Sequence, residues 1–225
     1  MKLPPSSRHF SLRLLLGAAL AALAVSPLAV TAANSPQNEK ILEATDPFEG
    51  LTETALTGNA GKIATAFKAT QQARTATRAL LPAASTARYD EQFAALDTAQ
   101  AKHDNLAVSL AAAELYKVLV SSLDSAALEV PKEVGLLDYV GFRISALLKA
   151  PSIDWPAIAA TTKEANAYWA TVRDRVSDTK LRTQMDAAQK GLTTAAQSRN
   201  TALAQTSVKS DLDLVDDLEK HFAKK

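Results

Sequence analysis

Apolar residues recur every three or four positions along most of this chain, and no long stretch alternates apolar with polar. That spacing is the signature of helices with one buried face. Leu56, Ile63 and Phe67, closed by Leu80 and Leu81, predict a first helix from about Phe48 to Leu81, with Gly58 and Gly61 marking a break near residue 60. Tyr89, Phe93, Leu96, Ala99, His103, Leu106 and Leu110 predict a second segment from about Ala87 to Leu128, either one rod or a pair broken near Asp104 and Asn105. A third, from about Lys132 to Lys149, opens after Pro131, where a missing N–H does no harm.

Trp155, Ile158, Thr162, Ala165, Trp169, Val172 and Val176 stripe a fourth segment, for which Asp154 is a suitable N-cap. Leu181, Met185, Ala188, Leu192 and Ala195 stripe a fifth, capped by Asp178. It either runs on or restarts at Ser210, which has capping-box spacing to Asp213. After Pro36 the prolines stand only at 47, 82, 131, 151 and 156, at or beside the ends of these segments, as punctuation should. The expectation is an all-α fold: an up-and-down antiparallel bundle of four to five long helices.

The first 33 residues read differently. Lys2, Arg8 and Arg13 precede the apolar run Leu14–Val25, and small residues follow at Val30–Ala33. This is the three-part pattern of a cleavable export signal, too short for a membrane span. The expected organisation is therefore a signal peptide over 1–33, a flexible segment over 34–47 and a single bundle domain over 48–225, delivered to the periplasm.

Export changes the charge. Removing three basic residues and no acidic ones leaves 22 Lys and Arg against 24 Asp and Glu, a net of about −2. A near-neutral chain lacks the clustered cations that nucleic acids demand. Cysteine is absent, which excludes disulfides, Cys-based zinc or iron–sulfur centres and thiol nucleophiles.

Few polar residues interrupt the apolar stripes. The third helix, GLLDYVGFRISALL over 135–148, is apolar on most of its circumference, yet it carries Asp138 and, two turns on, Ser145. Tyr139, Arg143 and Ala146 fall outside the apolar arc at ~100° per residue. A buried carboxylate must be paired, hydrogen-bonded or neutral. Asp138 therefore either fixes how two helices meet or belongs to a ligand or metal site. His103 raises the same alternatives, because it lies mid-stripe and could meet Asp138 from a neighbouring helix.

Trp155 and Trp169 share a face and could line an apolar pocket. His103 and Met185 could in principle hold a haem, although single His and Met residues in a core are more often packing. The acidic tail SDLDLVDDLEKHF over 210–222 reads as a solvated face. Paired Glu-x-x-His, HExxH, phosphate loops and the GxSxG elbow are all missing from the sequence.

Two functions follow as expectations. One is an exported, non-catalytic protein binding a small ligand or metal ion, with Asp138, His103, Ser145, Trp155 and Trp169 as lining and His103 with Asp138 as metal ligands. The other is a structural or protein–protein interaction module of the cell envelope with an inert core. An enzyme is not expected, and no cofactor is specified.

Overall fold

The computed structural model describes residues 34–224. These residues are all-helical, with no strand among them. The α-helices are α1 (Pro36–Glu43), α2 (Asp46–Ala55), α3 (Ala60–Leu80), α4 (Ala83–Ala101), α5 (Asn105–Ser121), α6 (Lys132–Leu147), α7 (Trp155–Val172), α8 (Thr179–Ser198) and α9 (Thr201–Phe222). Short 3-10 turns follow α5 at Ser125–Ala127 and α7 at Arg173–Arg175.

The sequence starts most of these helices with a side-chain cap. Asn59, Asp104, Asp154 and Asn200 each accept a hydrogen bond from the N–H three residues on, at 2.9–3.0 Å. Asp178 accepts two, from Lys180 and Leu181. Each such cap stabilises its helix by about 1 kcal/mol, by satisfying amides that have no partner within the helix.

In place of four to five long helices, the described residues contain seven of 16 residues or more, together with the shorter α1 and α2. Two of the extra ends fall at breaks the sequence left open, near residue 60 and near Asp104, and three share left-handed backbone. The expected first helix stops at Ala55, and Gly58 (φ +69°) turns the chain into the Asn59 cap. The expected second stops at Ala101 and turns through His103 (φ +54°) into the Asp104 cap. Arg199 (φ +53°) ends α8 in the same way, and α9 then passes through Ser210 without a new start. The segment 34–47, expected to be flexible, carries α1, whose Asn38 and Ile41 are buried.

Glycine is the residue that adopts a left-handed turn without steric cost, whereas a side chain there costs about 1–2 kcal/mol. His103→Gly is therefore expected to raise stability by about 1 kcal/mol in urea unfolding. A loss of stability would mean that the exposed imidazole makes a contact worth more than the strain.

α6 is the central rod. It packs against α5, α7 and α9, while α2 packs on α3 and α5, α4 on α5, and α8 on α7 and α9. Enclosure from three sides buries α6 almost all round. Tyr139 and Ala146, expected outside the apolar arc, are 1% and 0% exposed. A second concentration of apolar mass lies where α2 meets α4. There Phe48, Tyr89 and Phe93 meet edge to face, with ring centroids 5.0–6.3 Å apart.

Candidate functional site

Asp138 is buried mid-way along α6, and its Oδ1 has no hydrogen-bond partner. Burial pushes its carboxyl well above the ordinary carboxylate range, and Glu219, Glu49, Asp216 and Asp211 add to the effect. Every one of those neighbours is acidic, so ionisation there would meet repulsion as well as lost hydration. Tyr116 of α5 lies at the same junction. Its hydroxyl is 3.5 Å from where a Cβ on Gly135 would stand, and its ring packs edge-on against Phe142 at 5.4 Å.

A second buried acid was not foreseen. Asp211 of α9 is 0% exposed, and burial pushes its carboxyl up to about 7 against the pull of a hydrogen bond from Gln189. That bond runs from Gln189 Nε2 to Asp211 Oδ1 at 2.6 Å. Asp211 Oδ2 and Gln189 Oε1 are both buried without a partner. Two close approaches seat α9 beside this pair. A Cβ added to Gly141 of α6 would collide with Leu212, and one added to Gly191 of α8 would collide with Ser207.

A third polar group joins α5, α6 and α7 near the surface. Tyr139 donates to Glu114 at 2.8 Å, Arg143 donates to the same carboxylate oxygen, and Arg143 Nε donates to Thr161 at 3.1 Å. Lys117 pairs with Glu164 at 2.6 Å and lies over the Tyr139 ring. Charge meets countercharge throughout this network, so its chemistry is structural cross-linking rather than a poised acid or base.

The residues expected to form one site are dispersed. His103 is exposed in the turn before α5, where its left-handed backbone carries it off the stripe. Asp138 sits at the level of Tyr116, and about 16 Å of helix axis separate Asn105 from Tyr116 at 1.5 Å per residue. The structure therefore does not bring His103 and Asp138 together. Among the described residues no group of three or more His, Asp or Glu side chains is arranged to hold a metal ion.

Trp155 is half-buried at the first position of α7, whereas Trp169 is buried near its end. Fourteen residues place them about 21 Å apart along the axis, so one small pocket cannot touch both. Trp169 Nε1 instead donates to Asp186 at 2.8 Å, beside a two-point Arg173–Asp186 pair. That pair holds the Asp186 carboxyl below its ordinary range. Ser145 is half-buried two turns along from Asp138. Met185, 0% exposed, packs in the core, with its sulfur 3.8 Å from Gln189 Nε2, which does not suit a haem partnership with an exposed His103.

A concavity among the described residues lies elsewhere. It is an open hollow of about 410 Å³ between α4 and α5, lined by Ala94, Ala95, Thr98, Ala99 and Ala107, with Lys102 and Asp104 in the connecting turn. No protein-family model, curated protein or solved structure matches this chain.

Proposed function

We propose that the protein is an exported, non-catalytic interaction module of the cell envelope, built on an up-and-down arrangement of long helices, and that it docks a partner protein at the hollow between α4 and α5. The observation that carries this reading is the alanine lining. Four methyl side chains along an open concavity let an incoming backbone approach closely, as a ridge enters a groove between packed helices. Lys102 and Asp104 place opposite charges in the connecting turn, which suits selection of a partner's orientation. The occupant that fits is an amphipathic helix or peptide bearing a larger apolar side chain and flanking charges of both signs. Export rests on the leader pattern of residues 1–33, which lies outside the described residues.

A second reading, a small ligand or metal ion held at the same place, has one observation in its favour. The hollow's volume falls within the usual range for ligand pockets, about 300–1,000 Å³. Its open shape counts against that reading, since such pockets enclose most of their ligand.

A photo-reactive side chain at position 95, in protein made with its own leader in its native host, separates the two. The docking reading expects one discrete protein adduct, absent with the same group at Ala76 on the outer face of α3 and lost with Ala94→Arg. No adduct at 95, together with a thermal shift on adding divalent metals or haem, would replace docking by ligand binding.

A further inference from the structure

We infer that α9 is seated on α8 by a shared proton: Asp211, as the neutral acid, donates from Oδ2 to Gln189 Oε1 while its Oδ1 accepts from Gln189 Nε2, so that the seating of α9 answers to pH. The argument starts from three atoms. The Nε2–Oδ1 bond is made at 2.6 Å, and the two remaining polar atoms of the same pair, Gln189 Oε1 and Asp211 Oδ2, are both buried and both lack a partner. An ionised carboxylate only accepts, so it cannot satisfy a carboxamide oxygen. Turning the amide over exchanges its oxygen for its nitrogen and still leaves one oxygen of each group orphaned. A single proton on Oδ2 satisfies both at once and closes a two-point acid–amide pair.

The surroundings favour the neutral form. From α8 the pair is faced by Gln189 itself and by the sulfur of Met185. From α6 the pair is within electrostatic reach of Asp138, itself buried with an unpartnered oxygen. Asp138 in turn feels Glu49 of α2 and Asp216 and Glu219 of α9, and it acts on the hydroxyl of Tyr116 of α5. Burial is what favours the Asp211 proton, against the pull of the Gln189 bond, and Asp138 offers no positive charge to offset ionisation. The same stretch of α9 is held by close approach rather than by bulk, through Gly191 against Ser207 and Gly141 against Leu212. Charge at Asp211 therefore acts on an interface with little slack.

The test is amide hydrogen exchange of residues 201–222 between pH 5 and 9, corrected for intrinsic rates, on wild type and Asp211→Asn. An asparagine amide can make the same two-point pair without a titrating proton. In wild type the opening of α9 should become about tenfold easier per pH unit up to about pH 7 and then level off. In Asp211→Asn that slope should shrink to what Asp138 alone contributes. An equal slope in both proteins, or none in wild type, overturns the inference. Infrared spectroscopy of the Asp138→Asn protein at pH 5.5 provides a check that does not depend on Asp211→Asn folding. It should retain the carbonyl band of a hydrogen-bonded carboxylic acid, and loss of that band also overturns the inference.

Discussion

Raising the pH from 4 to 7 is expected to cost the wild-type protein about 4 kcal/mol of global stability through Asp211 alone. The carboxyl titrates near 7 when folded and at an ordinary 3.8 when unfolded. Between those values the folded chain keeps a proton that the unfolded chain has released. The stabilisation is therefore whole below pH 4, declines by about 1.4 kcal/mol per unit and is gone once pH passes 7. Asp138 is raised in the same direction and steepens the decline. Carboxyls held low, such as Asp90 and Asp186, act in the opposite sense, but their window lies below pH 4. Chemical denaturation across pH 4–8 should thus show falling stability for wild type and a nearly flat profile for Asp138→Asn/Asp211→Asn. The double variant should be the more stable protein at pH 8. A wild-type profile that rises from pH 4 to 7 would mean that both carboxyls are ionised in the fold.

Phe93→Ala is expected to lower stability by about 3–5 kcal/mol, a large part of the ~5–15 kcal/mol typical of a whole domain. The ring is 0% exposed. It meets Phe48 at 5.8 Å and Tyr89 at 5.0 Å, both edge-on, and carries the Arg74 guanidinium 4.6 Å above its face. Truncation removes the apolar area, both ring contacts and the seat of Arg74, and leaves a void walled by two rigid aromatics that cannot collapse into it. Phe93→Leu should cost less than half as much. Urea unfolding with an unchanged m-value is the appropriate measurement, and a loss for Phe93→Ala below 1 kcal/mol would show that α2 does not lean on α4 through this ring.

Spacing alone made the helices legible, together with Pro131 and the caps Asp154 and Asp178, because each rests on local backbone chemistry. A break near Asp104 and Asn105 was one of two readings the sequence left open, whereas Arg199 carries no glycine to mark one. Left-handed backbone is commonest at glycine, so at both residues the surrounding structure helps to select it. The placing of His103 on the stripe carried the candidate site with it, since a histidine inside a stripe and a histidine in a turn have the same periodicity. Asp138 was legible as a polar residue on a buried helix, and the structure keeps it there. Asp211 had a signal that went unread. Ala204, Val208, Asp211, Val215, Leu218 and Phe222 step by fours and threes, which places the carboxyl on the buried seam. Five acids in the tail suggested one wet surface, yet the face assigned by spacing decided the burial of this one.

The anchoring of α1 ties residues 34–38 to the connection between α5 and α6. Asn38 holds the 124–127 turn through bonds to the carbonyls of Asp124 and Ala127 and from the amide of Asp124. Ser35 caps α1 and bonds Ala127, and Asn34 accepts from the amide of Glu129. Asn34 is the first residue with a part in these stitches. Recombinant versions trimmed to Pro36 or beyond, or proteolytic nicking of the first few residues, would unpick the 124–129 connection from the far end of the sequence, loosening the link between α5 and α6 without touching either helix.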